Sequence, residues 1–422
     1  MGKLVLFVDP WHPYATRFIE VVQQRFGCDP VVLRTEVSRR GRTPGETHHV
    51  PRHALRAFAA ELARKREVAG AIPFTEAVLE PTLEVLRGLG SSWNDERTLL
   101  LLRNKFALKA QLRSLRPALR INDSRALDPW APFLSEEVPE RFVLKPNAGF
   151  GNRSVGYFTR RTPVEEVRAF LRACGPEAIL LEEFIPGTEY FVNGQTDDQG
   201  RATTLAIFRY ERVWANGHLV DWLTHKVSRA AAEFAALEAY AQRVVTGINL
   251  RRSPFHLEAK MPGGQPSLIE LNARLAGNGN AFVCNALHGD KLDVFALAAD
   301  HYLNDGPRAP PVTDWECYER TQLTYVHGVS FERSLIHSLE GLDDLERHPA
   351  FAGWVYKPLL GQRLWPTTDL ASSPWTFLTR GAAAADELRS LLRINGRPGG
   401  WRLPWLRGRE LARRALARLA RT

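Results

Sequence analysis

The sequence predicts a mixed α/β and α+β protein that begins with a parallel sheet and continues into antiparallel hairpins. Apolar strand-like runs alternate with amphipathic helical segments over roughly the first hundred residues, which is typical of βαβ units. Strand patterns joined by tight turns follow between residues 189 and 272. The chain of 422 residues is long enough for two or three domains of ~100–200 residues each.

The first hundred residues carry the parallel-sheet pattern. An apolar run over 3–8 ends at Asp9-Pro10, as a buried parallel strand does. No GxGxxG motif follows this strand, so a Rossmann dinucleotide site is unsupported. The same patterns predict helices over 14–26, 53–67, 76–90 and 98–115, and strands over 31–35 and 70–73.

The remainder of the chain is predicted to be rich in strands. A Pro-rich stretch at 307–311 marks a boundary, and 321–392 is predicted as a smaller α+β unit. Helices are predicted over 163–173 and 230–246. Strands are predicted over 141–145, 155–159, 178–184, 190–193, 203–212, 218–223, 256–260 and 267–272.

The net charge of +9 raises the question of a nucleic-acid or membrane partner. Residues 391–422 hold nine arginines against the single acid Glu410, so the rest of the chain is nearly neutral. The excess charge therefore belongs to a C-terminal tail. We expect that tail to be a packed or solvated helix, with a basic amphipathic surface segment as the alternative. No nucleic-acid partner is expected.

Cellular context is predicted from what the sequence lacks. No stretch approaches the ~20 apolar residues that a membrane span needs, and the N-terminus shows no signal-peptide pattern. The four cysteines are scattered and form neither a zinc motif nor a disulfide framework. We expect a protein of the reducing cytoplasm without a membrane span.

A glycine-rich loop follows the strand at 141–145. That strand ends at Lys145, and the loop after it contains Gly149, Gly151 and Ser154. Glycine lets backbone N–H groups approach phosphate oxygens closely, and a lysine adds a point charge suited to phosphate. On its own, the pattern fits a glycine-rich hairpin turn equally well.

Acidic residues surround the end of the next strand. Glu182 and Glu183 are followed by Phe184 and Ile185, and Glu189 comes after a Pro-Gly turn. Backbone atoms here could read the edge of a flat base, and Glu189 could accept hydrogen bonds from ribose hydroxyls. Taken alone, a strand end with solvated acids is the favoured interpretation.

A third pattern predicts a metal site on a hairpin. Period-2 alternation places His256, Glu258 and Lys260 on one strand face, and Glu270 and Asn272 on one face of the next strand. Hairpin pairing can bring Glu258 beside Glu270. Two carboxylates and an amide oxygen are hard ligands that suit Mg²⁺ bridged by phosphates. A polar outer sheet face is the alternative, and the metal site is favoured.

The order of these segments resembles the ATP-grasp superfamily, and its carboxylate–amine ligase branch most closely. The resemblance covers roughly 70–305. It implies an ATP-grasp architecture with a Rossmann-like parallel-sheet domain, a central lid and an antiparallel-sheet C-terminal domain. The implied domains are an N-terminal domain over 1–100, an ATP-grasp domain over 101–305 with its lid at about 120–185, a small unit over 306–392, and the Arg-rich tail over 393–422.

The resemblance also implies a role for each residue. Arg274 would stabilise the transferring phosphoryl group, and Lys145 would contact phosphate. The ligands of one or two Mg²⁺ ions, with Mn²⁺ as the alternative metal, would be Glu258, Glu270 and Asn272. The remaining ATP contacts would come from Lys105, Gly149, Gly151, Ser154, Glu182, Glu183, Phe184, Ile185 and Glu189. Ala273 departs from the family, which more often has proline there.

The expected function is therefore an ATP-dependent, ADP-forming ligase that joins a small carboxylate to an amine through an acyl-phosphate. Amino acids or small peptides are the expected substrates, and a homodimer is an expected assembly. Two alternatives stay open, a biotin-dependent carboxylase and a non-catalytic ATP-binding protein. The chain has no Met-Lys-Met biotin-carrier segment, and its loop has fewer glycines than a carboxylase lid.

Overall fold

The computed structural model of the protein describes residues 2–10, 14–35, 44–127, 137–148, 154–175, 178–303 and 310–398. None of the helices in these ranges is long and apolar enough to cross a membrane.

The α-helices are α1 Ala15–Phe26, α2 Leu55–Lys65, α3 Leu79–Leu89, α4 Glu96–Leu102, α5 Lys105–Arg113, α6 Val164–Cys174, α7 Ala232–Gly247, α8 Asn280–Leu287, α9 Val294–Leu303, α10 Trp315–Arg320, α11 Leu342–Arg347 and α12 Ala385–Leu391.

The strands fall into a parallel group at the N-terminus and antiparallel groups after it. They are β1 Leu4–Val8, β2 Asp29–Arg34, β3 Glu46–His49, β4 Val68–Pro73, β5 Ser124–Leu127, β6 Arg141–Pro146, β7 Gly156–Thr159, β8 Ile179–Glu183, β9 Glu189–Thr196, β10 Ala202–Ala215, β11 His218–Lys226, β12 Ser253–Lys260, β13 Ser267–Asn272, β14 Thr324–His327, β15 Ser334–Leu335, β16 Leu339–Glu340, β17 Phe351–Tyr356, β18 Arg363–Leu364, β19 Thr376–Thr379, β20 Arg393–Ile394 and β21 Arg397–Pro398.

The chain forms two compact units, each built from several separate segments. The first unit comprises Met1–Asp128, Ile185–Ile207 and Ser228–Arg320. The second unit comprises Pro129–Phe184, Phe208–Val227 and Thr321–Thr422.

A parallel sheet in the order β3-β2-β1-β4 opens the first unit. Every residue of β1 is buried, as the apolar run predicted. Leu6 lies beside Val31 on one side and Ala71 on the other. Helix α1 ends at Gly27, whose left-handed backbone at φ 61° is the conformation that glycine adopts most readily. The predicted parallel sheet is therefore confirmed, with β3 as an additional strand that the sequence pattern did not indicate.

The predicted helix over 98–115 is wrong as a single element. Helix α4 ends at Leu102, and α5 starts at Lys105 after a break. The side chain of Asn104 accepts a hydrogen bond from the backbone N–H of Ala107 at 2.9 Å, which makes Asn104 the N-cap of α5. The apolar spacing continues through the break, and the capping bond interrupts the helix there.

An antiparallel group in the order β13-β12-β9 completes the sheet structure of the first unit, together with the first residues of β10. Strand β12 pairs with β9 along its whole length, and with β13 on its other side. The register places Glu258 opposite Glu270, and His256 opposite Asn272. A β-bulge between Glu258 and Ala259 interrupts this pairing. The predicted alternation of the two strands is present.

The second unit holds two larger antiparallel groups, β8-β6-β7 and the later part of β10 with β11-β14-β19-β17, and the two small sheets β15-β18 and β16-β20-β21. Its core contains Trp222, Trp375 and Phe377, all at most 1% exposed. The guanidinium of Arg389 lies 3.4 Å from the centre of the Trp222 ring and donates to the Trp222 carbonyl at 2.6 Å. The antiparallel sheets confirm the α+β character predicted for this part of the chain.

Candidate functional site

Helix α5 and strand β13 bring a lysine and a carboxylate together in the first unit. The Nζ atom of Lys105 lies 3.4 Å from Oε2 of Glu270. The amide nitrogen of Asn272 donates to Oε1 of the same carboxylate at 2.8 Å. Because Lys105 is the first residue of α5, its ammonium group adds to the positive end of the helix dipole. This arrangement provides positive charge beside the predicted metal ligands.

The cross-strand pair Glu258 and Glu270 forms the centre of the candidate metal site. Like charges directly opposite each other on a sheet destabilise it unless a cation lies nearby. In this structure the Lys105 ammonium lies beside Glu270, and Nε2 of His256 lies 3.3 Å from Oε1 of Glu258. His256 in turn contacts Oδ1 of Asn193 through Nδ1 at 2.8 Å. Neighbouring protein groups therefore stabilise the two carboxylates, and a bound metal would also neutralise their charge.

The donor set fits a magnesium ion that is shared with phosphate. Within the described ranges, no group of three His, Cys, Asp or Glu side chains is placed to hold a metal. The candidate ligands are instead Glu258, Glu270 and Asn272, which offer two carboxylates and one amide oxygen, all hard ligands. Mg²⁺ binds in this way when phosphate oxygens and water complete its six positions. Their role as metal ligands stays a prediction.

Arg274, two positions beyond β13, is held by an acid that the sequence reasoning missed. Its Nη2 donates to Oε1 of Glu76 at 2.9 Å, and its Nε donates to the other carboxylate oxygen. Burial favours the neutral carboxyl, but the charge and hydrogen bonds of Arg274 outweigh it and lower the pKa of Glu76 to about 2. Burial likewise opposes the charge of Arg274, and Glu76 reverses that effect and raises the pKa of Arg274.

A small cleft lies beside this ion pair. Its lining includes Thr75, Arg103 and Asn272 together with Glu76 and Arg274. Glu76 follows β4 by three residues, so it stands at the carboxyl edge of the parallel sheet, where α/β proteins bind ligands. That position was the one available signal for Glu76 in the sequence.

The predicted ribose acid, Glu189, lies at the start of β9 opposite Lys260, the last residue of β12. The Lys260 Nζ is 3.8 Å from Oε2 of Glu189 and donates to the carbonyl of Ile185 at 3.3 Å. Glu189 and Lys260 are each 8% exposed, and Ile185 is 7% exposed. The structure therefore places two predicted nucleotide residues, Ile185 and Glu189, around a lysine to which the sequence reasoning gave no role.

The second unit holds the remaining predicted residues. Lys145 is the penultimate residue of β6, and its Nζ lies 2.9 Å from Oε2 of Glu182 on β8. Both side chains are at least nine-tenths buried, whereas Glu183 is exposed. The guanidinium of Arg141 covers the ring of Phe184 at 3.8 Å. The structure thus pairs two of the predicted ATP residues, Lys145 and Glu182, with each other.

Part of the glycine-rich loop lies outside the described residues. Gly149 and Gly151 lie in the part of the loop that is not described, so their predicted phosphate contacts stay predictions. Ser154, at the end of the loop, has a left-handed backbone at φ 55°, which is uncommon for a residue with a side chain. Strand β7 begins two residues later, at Gly156.

Comparison with known families identifies the segment that contains most of these residues. Residues 138–281 match the family model described as "ATP-grasp domain". The match covers about a third of the chain. The predicted superfamily and fold class are thereby confirmed. Lys105 and Glu76 precede the matched segment, while Lys145, Glu189, Glu258, Glu270 and Arg274 lie within it.

A curated relative extends the likeness beyond the ATP-grasp domain. Dapdiamide A synthase of Enterobacter agglomerans is 27% identical over 294 residues, which is 65% of this chain and 66% of that protein. The matched part therefore spans slightly less than two thirds of the relative.

Solved structures share the fold over nearly the whole chain. The L-amino acid ligase from Bacillus licheniformis has a TM-score of 0.76 at 16% identity, covering 93% of this chain and 98% of that one. The biotin carboxylase domain of the Hydrogenobacter thermophilus 2-oxoglutarate carboxylase has a TM-score of 0.64 at 14% identity, covering 94% and 91%. At these identities the likeness establishes the ATP-grasp fold alone.

Proposed function

We propose that the protein is an ATP-dependent carboxylate–amine ligase that forms an amide or peptide bond and releases ADP and phosphate. The observation that carries the proposal is the β12–β13 register. It sets Glu258 opposite Glu270, with Asn272 and Lys105 in contact with Glu270. This combination of paired carboxylates, an amide and a lysine suits a metal-bound polyphosphate. The names of the curated relative and of the Bacillus licheniformis structure support the ligase branch.

The reaction balances in two steps. A carboxylate oxygen of the first substrate attacks the γ-phosphorus of ATP, the bond from phosphorus to the bridging oxygen breaks, and ADP leaves. The nitrogen of an uncharged amine then attacks the carbonyl carbon of the acyl-phosphate. Phosphate leaves, and the nitrogen gives up one proton as the amide forms. Neither step needs a nucleophilic side chain, so position and charge neutralisation are the protein's main contributions.

Each cationic residue has a separate task in this reaction. Lys105 and Lys145 bind phosphate oxygens of ATP, and Arg274 neutralises the charge that develops on the transferring phosphoryl group. Glu76 fixes the plane of the Arg274 guanidinium through two hydrogen bonds, so it acts as a positioning residue. A magnesium ion held by Glu258, Glu270 and Asn272 would supply further neutralisation of phosphate charge.

The substrate proposal is a small amino acid or peptide on each side of the new bond. This proposal extends the names of the two ligase relatives to this chain. The loop over 149–156 is proposed to shield the acyl-phosphate from water, which would otherwise hydrolyse it. A cytoplasmic homodimer is proposed as the working form of the enzyme.

The function is tested by measuring ADP release from the full chain with ATP, Mg²⁺ and a panel of amino acids and amines. We expect release that requires both a carboxylate and an amine, together with a product whose mass is the sum of the two minus water. Glu270→Ala should abolish it. Glu61→Ala, a change on the exposed side of α2, is the matched control. Full activity in Glu270→Ala would rule out this site.

The two alternative functions predict different outcomes in the same assay. A biotin-dependent carboxylase would release ADP with bicarbonate in the absence of any amine. A non-catalytic nucleotide-binding protein would bind ATP and release no ADP with any member of the panel. The buried Arg274–Glu76 pair favours the ligase over the non-catalytic alternative, because simple nucleotide binding has no need of a guanidinium held at this edge of the sheet.

A further inference from the structure

Lys260 is a buried lysine of the first unit that has no role in the proposed reaction. It is the last residue of β12, it is 8% exposed, and its ammonium contacts both the Ile185 carbonyl and the Glu189 carboxylate. Burying a long charged side chain costs free energy unless ion pairs or hydrogen bonds with its partners compensate. Both of these partners are residues predicted to bind the base and the ribose of ATP.

We propose that Lys260 is a positioning residue for the nucleoside part of ATP, which holds the base-reading backbone at Ile185 and the ribose acid Glu189 in one fixed arrangement. The inference deepens the proposed ATP-dependent function and rests on it. It assigns to Lys260 no part in phosphoryl transfer.

Backbone contacts around the ammonium support this role. Glu189 and Lys260 are direct partners in the antiparallel pairing of β9 with β12. One residue further out, the N–H of Met261 donates to the carbonyl of Thr188 at 3.0 Å. Gly187, at φ 95°, turns the chain so closely over β12 that a Cβ would lie 2.8 Å from the Met261 carbonyl. The turn from Ile185 to Glu189 therefore packs directly on the end of β12. The side chain of Lys260 adds its contacts with Ile185 and Glu189 to this packing.

The charges explain why a lysine suits this position. Glu189 is 8% exposed, where an isolated charge is unfavourable. At 3.8 Å, the Lys260 ammonium neutralises the carboxylate from beyond hydrogen-bond distance. The same ammonium donates a hydrogen bond to the Ile185 carbonyl. One side chain therefore offsets the charge of Glu189 and binds the backbone at Ile185.

The test separates the nucleoside from the phosphates. In Lys260→Met, which keeps most of the side-chain length and removes the charge, we expect the Kd and KM for ATP to rise at least tenfold while kcat stays within about twofold. The Kd for inorganic tripolyphosphate, which lacks a nucleoside, should stay the same. The preference for ATP over 2′-deoxy-ATP should fall, since ribose recognition depends on Glu189. Lys260→Arg should retain most of the affinity.

Two controls make the outcome decisive. Lys65→Met removes an exposed lysine of α2 and should match the wild type in every measurement. Isothermal calorimetry on the full chain gives each Kd, and circular dichroism shows whether a variant is folded; an unfolded Lys260→Met transfers the comparison to Lys260→Gln. An unchanged Kd for ATP, or equal losses for ATP and tripolyphosphate, would overturn the role of Lys260. A wild-type protein that fails to bind ATP would instead overturn the proposed function itself.

Discussion

Glu76 and Arg274 are 198 positions apart in sequence, and they form a two-bond ion pair at the carboxyl edge of the parallel sheet. The pair joins the segment after β4 to the segment after β13. A guanidinium held by two parallel hydrogen bonds has a fixed plane as well as a fixed position. That rigidity is what stabilisation of a transferring phosphoryl group requires.

Glu76→Gln is expected to destabilise the protein by about 3 kcal/mol near pH 7, because it leaves Arg274 buried without its counter-charge. ADP release should fall with it, because the guanidinium loses its orientation. The surface substitution Glu80→Gln, whose carboxylate is 58% exposed, should cost less than about 1 kcal/mol. Urea unfolding and an ADP-release assay on the same samples measure both effects.

The pH dependence of this stability difference has a definite sign. The pKa of Glu76 is lowered from 4.5 to about 2 in the folded protein, so its ionised form stabilises the fold above pH 4.5. That contribution should disappear as the pH falls from 4.5 towards 2. The gap between wild type and Glu76→Gln should therefore narrow over this window and stay constant from pH 5 to 7. A gap that widens on acidification would contradict the ion pair.

Removal of one predicted metal ligand should change the magnesium requirement. Glu270→Gln replaces a charged ligand by a neutral one, so we expect the Mg²⁺ concentration for half-maximal ADP release to rise at least tenfold. Chelation with EDTA should stop the wild-type reaction, and added Mg²⁺ should restore it. Glu61→Gln on α2 should leave the Mg²⁺ dependence unchanged. An identical titration for Glu270→Gln would remove Glu270 from the ligand set.

The buried pair of Lys145 and Glu182 allows stability and function to be separated. Lys145→Met should lose ADP release and also lower stability by about 3 kcal/mol, because Glu182 is left buried and unneutralised. In the double variant Lys145→Met/Glu182→Leu, both charges are gone, and we expect much of the stability to return without activity. Recovery of both together would mean that Lys145 has a purely structural role.

Deletion of residues 401–422 should leave ADP release unchanged. Every residue predicted to contact ATP or metal lies before position 275, and the tail contributes most of the net charge. The truncated chain is compared with the full chain at equal concentration in the same assay. A folded truncation without activity would show that the tail takes part in catalysis or in assembly.

Features set by local pattern could be predicted from the sequence. The buried β1, the parallel sheet and the alternation that pairs Glu258 with Glu270 all depend on residues close together along the chain. The single helix predicted over 98–115 was wrong because the apolar spacing continues through Asn104. The break there is set by one capping hydrogen bond, from the backbone N–H of Ala107 to the side chain of Asn104. Local spacing outweighed a cap signal that was visible in the sequence.

The partners Glu76 and Lys260 could not be found in this way. Glu76 meets Arg274 only because β4 and the end of β13 reach the same region of the first unit, and no periodicity relates residues so distant. Lys260 was placed on the correct strand face, but its contacts with Ile185 and Glu189 depend on the β9–β12 register. Long-range register is a property of the folded chain.

The position of Lys105 at the first turn of α5 has a consequence for engineering the protein. That turn contains no acidic residue, although a carboxylate there would complement the helix dipole by roughly 0.3–1 kcal/mol. Lys105 is nevertheless buried and lies 3.4 Å from the Glu270 carboxylate, so an acid at this position would bring like charges together and destabilise the protein by more than the dipole contributes. A stabilised variant library should keep position 105 fixed, because a substitution chosen for the helix dipole alone would break the ion pair with Glu270.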